Sequence, residues 1–173
     1  FWGYQAHDVE PDILTFAKGV GNGIALAGVV ARAEIMDTIT VNSFSTFGGN
    51  PLSAAGGLAP LRHVRANDLQ GNAKRQGERL VAALGPVAER TPWIAELRGR
   101  GLMQAVEAVH PGTIEPDVDR AGAVLEGCRE RGLLVGKGGL YGNALRIAPM
   151  LNATDDEIDE GAAALIAAID ATD

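Results

Sequence analysis

A disulfide framework is excluded at once, because the 173 residues contain a single cysteine, Cys128. That scarcity suits a reducing compartment, and a cytoplasmic protein is the expectation. Aromatic residues are few, at 5%, and the three histidines, His7, His63 and His110, share no spacing suited to a metal ion. Every apolar run is broken by Gly, Asp or Arg, so none reads as a membrane span. Basic charge is in deficit. A net charge of −7 argues against nucleic acid or an anionic membrane surface as partner. A start methionine is missing too, and "FWGYQAHDVEPD" reads as the interior of a longer chain.

What is present is the composition of a globular protein, 46% hydrophobic and 21% charged. Short apolar runs alternate with longer amphipathic ones, which points to α/β or α+β architecture. Residues 12–18 and 26–32 read as strands, the first apparently buried. Residues 50–65 read as a helix with Asn50 as N-cap and Pro51 in the first turn, although Pro60 should kink or end it. A second helix is predicted over about 68–84, ended by "GPVAERTP". Residues 94–109 read as two strands joined through glycines. Residues 117–132 place Val118, Ala121, Leu125 and Cys128 at helical spacing, with Gly132 as the stop. Residues 133–151 read as a pair of strands. The last helix is the clearest, with Thr154 and Glu157 as a capping box and Ile158, Ala162, Leu165 and Ile169 on one face.

Three constellations could carry chemistry. In "PDILTFAKGVGNG", Lys18 ends an apolar strand and meets Gly19, Gly21 and Gly23. A partly desolvated amine there would be a good nucleophile toward carbonyls, including the aldehyde of pyridoxal phosphate. A solvated lysine at a strand end fits the same spacing. In "SFSTFGGNP", the helix beginning near Pro51 aims free N–H groups at Thr46 and the two glycines, a place for a phosphate or simply a capped turn. In "ALRIAPML", Arg146 stands inside an apolar run. It calls for a substrate carboxylate, an internal salt bridge, or alternation that turns it to water. Cys128 reads as core, and Arg98 and Arg100 read as facing solvent or a neighbouring segment.

Together, and in this order, these segments resemble the class III aminotransferases, which carry pyridoxal 5'-phosphate on the fold type I scaffold. The resemblance runs from Phe1 to the last helix. It implies an α/β chain that is the C-terminal part of that scaffold: the end of the large mixed-sheet domain over 1–66, a connecting helix over 67–90 and a small α+β domain over 91–173. Lys18 is implied as the Schiff-base lysine and catalytic acid and base. Thr46, Phe47 and Gly48 are implied as cofactor contacts, with Thr46 reaching the cofactor held mainly by the other subunit of a homodimer. Arg146 is implied as the ligand of the substrate carboxylate, and no metal is implied. The activity implied is transfer of an amino group between an amino acid or ω-amine and a 2-oxo acid. The segments around Lys18 and Arg146 are most similar to the alanine–glyoxylate and 4-aminobutyrate branch. A mutase, racemase or decarboxylase of the same fold, or a non-catalytic remnant, are the alternatives. Met150 stands where the family usually has a second proline, and Pro60 where relatives continue a helix. The acidic residue beneath the pyridine nitrogen, the Gly-rich phosphate loop and the stacking aromatic are expected upstream of Phe1. On that account these 173 residues alone are expected to be inactive.

Overall fold

The computed structural model describes residues 1–172 and divides into two compact units, Phe1–Asp68 and a second beginning at Leu69. The first opens with a short 3-10 turn, Gly3–His7, followed by strand β1, Ile13–Phe16, a second 3-10 turn, Lys18–Gly21, and strand β2, Gly28–Ala31. The two strands pair antiparallel, with Ile13 opposite Ala31 and Phe16 opposite Gly28. Phe16 lies across Gly28, where a Cβ would strike its ring. A one-turn helix α1, Ala33–Met36, precedes helix α2, Pro51–Ala66.

The apparent burial of β1 is not found. Its residues are exposed or half-buried in alternation, and Val29 and Val30 of β2 are 54% and 60% exposed. Gly21 and Gly57 are the buried residues of this unit. An apolar strand reports that a covering layer suits it, and the exposure of β1 and β2 shows that their own unit supplies none. Helix α2 matches the helix read over 50–65, and Pro60 does not end it. It begins as foreseen, Asn50 Oδ1 accepting from the Ser53 N–H at 2.9 Å and Pro51 in the first turn. It then continues past Pro60 to Ala66, giving up one backbone bond toward Gly56.

The second unit has a core of its own. Helix α3, Leu69–Arg90, leads into strands β3, Ile94–Arg100, and β4, Met103–Ala108. Helix α4, Val118–Glu130, strands β5, Gly136–Gly138, and β6, Ala144–Ile147, and helix α5, Asp155–Asp170, complete it. The sheet is antiparallel in the order β3-β4-β6-β5. The three helices bury Leu80, Leu84, Val124, Leu165 and Ile169 together with Trp93, Val106 and Leu145. Helix α3 runs on through Pro86 rather than stopping near 84, because Val87 still falls on the buried stripe and rewards another turn. Asn72 of α3 donates to the Leu151 and Ala153 carbonyls before α5, Gln76 donates to Asp155 at its start, and Arg79 pairs with Asp155 and Asp159. Helix α5 carries the expected capping box: Thr154 N–H donates to Glu157 Oε2 at 2.8 Å and the Glu157 N–H donates to Thr154 Oγ1 at 3.3 Å.

Two helical glycines distinguish packing from propensity. On propensity alone, alanine at either should add about 1 kcal/mol. A Cβ at Gly161 would meet only Leu133 Cδ1 at 3.7 Å, so Gly161→Ala is expected to stabilise by about that amount. At Gly77 it would lie 2.6 Å from Gly101 Cα and nearer still to the Gly101 carbonyl, which is backbone and cannot yield. Gly77→Ala should therefore destabilise by about 2–3 kcal/mol, overriding propensity. Urea unfolding of the two variants checks the opposite signs.

Candidate active site

Lys18 leaves β1 through Ala17 and begins the tight turn, its backbone in the left-handed region at φ +55. A non-glycine residue held there costs roughly 1–2 kcal/mol. Of the three glycines that follow, only Gly23 takes a positive φ, while Asn22 does so at φ +46. Gly21 is there for closeness instead, since its Cβ would stand 3.2 Å from Leu26 Cβ. The Lys18 side chain is exposed, which corrects the expectation of a half-dried amine: nothing in its own unit lies over it.

The turn rests on α2. A Cβ at Gly56 would meet Ile24 Cγ1 at 3.0 Å, and one at Gly57 would collide with Leu26 Cδ2. Seating Ile24 and Leu26 on these glycines brings the turn beside the loop that starts α2. The result is an open cleft of about 500 Å³ lined by Lys18, residues 24–27, Ser45, Phe47, Gly48, Gly49, Asn50 and α2's first turns. Lys18, Phe47 and Gly48 thus come together. Thr46 belongs to the same loop but does not line the cleft, and it is exposed.

The loop is built to receive an anion. Asn50 fixes it from within, donating Nδ2–H to the Phe47 carbonyl at 2.8 Å while its oxygen caps α2. The Gly48 N–H is spent on Ser45 O at 3.2 Å, and Asn50 N–H bonds Phe47 O. The N–H groups of Thr46, Phe47 and Gly49 have no acceptor among the described residues. These N–H groups lie in the loop that leads into a sixteen-residue helix, and a primary amine lines the same cleft, so an anionic group could be held there. No group of three or more His, Cys, Asp or Glu among the described residues could hold a metal ion.

Arg146 belongs to the second unit. In β6 the neighbours Leu145 and Ile147 are buried and Arg146 is exposed, so strand alternation turns it to the uncovered face of the sheet. Of the three alternatives open in the sequence, the internal salt bridge is not formed: among the described residues Arg146 has no ion pair. Its guanidinium lies over Gly136 on β5, where a Cβ would stand 3.2 Å from Nε. Sequence reasoning missed Gly56, Gly57, Ile24 and Leu26 as the wall of the cleft. The signal was a glycine pair inside a helix, followed by a proline, where a packing reason had to exist.

If Gly57 seats Leu26, Gly57→Ala makes Leu26 swing its isobutyl group, a wall of the cleft, off the helix. The melting temperature should barely move, because the displaced atom is the end of a flexible side chain. Capture of pyridoxal 5'-phosphate, followed by absorbance, should weaken about tenfold. Adding Leu26→Ala should restore it.

The model of the aminotransferase class-III family matches residues 1–169. The chain is 43% identical over 161 residues to an alanine–glyoxylate aminotransferase 2 homolog of Arabidopsis thaliana, covering 92% of this chain and 34% of that protein. It is 38% identical over 158 residues to the 4-aminobutyrate aminotransferase of Mycobacterium tuberculosis, covering 88% and 34%. Among solved structures, an Arthrobacter phospholyase in complex with phosphoethanolamine superposes with a TM-score of 0.91 at 33% identity, covering 98% of this chain and 41% of that one. The chain spans about a third of the length of the curated relatives it matches. This chain belongs to the class III aminotransferases.

Proposed function

We propose that the protein containing this chain transfers an amino group between an amino acid or ω-amine and a 2-oxo acid, using pyridoxal 5'-phosphate. The observation that carries the reading is the shared cleft, in which one primary amine faces a loop with unclaimed N–H groups. The cofactor, when bound, supplies an aldehyde for the amino group and a ring that accepts the electrons of the broken bond. Lys18 Nζ would hold the cofactor through its aldehyde and, when released, would carry a proton as acid and base. The loop around Gly48 and Gly49 holds phosphate. Arg146, exposed and unpaired, takes the substrate carboxylate through its planar fork.

Thr46 is proposed to serve the cofactor of a second subunit in a homodimer. Its place in the phosphate loop yet off the cleft of its own chain supports that reading. The exposed apolar faces of the first unit, with Val41, Phe44 and Phe47 each more than three-quarters exposed, suit a chain that is covered on assembly. A cytoplasmic setting belongs to the same proposal, supported by the lone, fully buried thiol of Cys128.

Assay of the whole protein with alanine and glyoxylate tests the reading. Lys18→Ala should lower kcat about a thousandfold. Arg146→Ala should raise KM for the carboxylate substrate roughly 10- to 100-fold with kcat little changed. The likeness to the phospholyase raises one rival, elimination of phosphate from a phosphorylated amine. Release of phosphate from phosphoethanolamine without any 2-oxo acid present, and no amino transfer to glyoxylate, would establish the rival.

A further inference from the structure

The uncovered face of the second sheet carries more charge than the carboxylate-binding role uses. Glu96 on β3 stands directly opposite Glu107 on β4. Like charges in that register repel. Arg98 lies between them, donating Nη1–H to Glu96 Oε2 at 3.0 Å and bonding Glu107 Oε2 as well. The Arg98 hydrogen bond holds the Glu107 carboxyl below the usual range, against the opposing effect of burial, and a bond from Asn143 adds to it. Glu107 is therefore an anion, and Arg98 occupies it.

Arg146 lies on the same face, one strand on. Ala105 pairs with Arg98 on one side and with Arg146 on the other, which sets the two guanidinium groups on either side of β4. Glu107 is two residues along β4 from Ala105, making it the diagonal neighbour of Arg146, at roughly 7–8 Å between backbones and within reach of two long side chains. An unpaired Glu107 would therefore be the natural internal partner for Arg146. Arg100, on the far side of the register opposite Met103, bonds neither carboxylate.

We infer that Arg98 is a positioning residue for carboxylate recognition: by engaging Glu96 and Glu107 it keeps Glu107 off Arg146 and leaves that guanidinium free for substrate. This rests on the reading of Arg146 given above. A merely structural Arg98 would relieve the Glu96–Glu107 repulsion and affect stability alone. The positioning role shows itself in substrate affinity, through one carboxylate, and only where Arg146 is present.

The test is a mutant cycle in the whole protein, with steady-state kinetics on glyoxylate and pyruvate and a melting temperature for each variant. Arg98→Ala should raise KM for both acids about three- to tenfold, the effect of one unscreened charge at that distance, with kcat within about twofold. Arg98→Ala with Glu107→Gln should return KM to about the native value, even if the melting temperature stays low. In the Arg146→Ala background, Arg98→Ala should add nothing. Should Arg98→Ala fail to fold, Arg98→Gln keeps the side-chain bulk and removes the charge, with the same expectations. An unchanged KM in the folded single variant overturns the inference, as does a raised KM that persists with Glu107→Gln. Arg146→Ala without effect on KM removes instead the reading on which the inference stands.

Discussion

The seating of Ile24 and Leu26 on the glycine face of α2 is the contact from which the site follows. Without it, Lys18 ends a short exposed strand and the glycine loop starts a helix, and neither has a reason to face the other. With it, an amine and a set of unclaimed N–H groups share one cleft. The glycines act by what they lack, since helix and loop approach to a distance at which a methyl group would displace the Ile24 and Leu26 side chains. The cost in helix propensity, about 1 kcal/mol for each glycine, is small beside the loss of that approach.

The two units are built on different terms. The second buries a continuous apolar core beneath one face of its sheet and ties α3 to α5 through Arg79. That core also decides where Arg146 points, because strand alternation cannot bury Leu145 and Ile147 without turning Arg146 to the open side. The first unit holds its strands by one antiparallel pairing and leaves its apolar side chains largely uncovered. Lys18 thus sits in the unit with the less complete interior, and Arg146 in the one with the fuller core.

What was legible in the sequence was local. The capping box at Thr154 and Glu157, the Asn50 cap and the stop at Gly132 each rest on bonds within a turn or two, so residue order alone specifies them. The helix end near 84 was misread: Pro86 forgoes one backbone bond, yet Val87 beyond it is still buried on the same helix. Pro60 lies within the helix read over 50–65 and does not end it. The burial of β1 was overstated because a strand's composition records a preference, not the presence of a covering layer. Arg146 could not be decided from its run of apolar neighbours; the pairing partners on β4 and β5 were needed. Arg98 reads in the sequence as facing solvent or a neighbouring segment, and its bridge between two glutamates emerges only from the β3–β4 register.

The central claim is that the amine at position 18 bonds to the aldehyde of the cofactor. Incubating the whole protein with pyridoxal 5'-phosphate, reducing with borohydride and mapping peptides by mass spectrometry reads that bond directly. The account predicts a pyridoxyl-phosphate mass addition on the peptide containing Lys18 and nowhere else at comparable yield. Modification spread over other lysines such as Lys74 and Lys137, with residue 18 unlabelled, would contradict it.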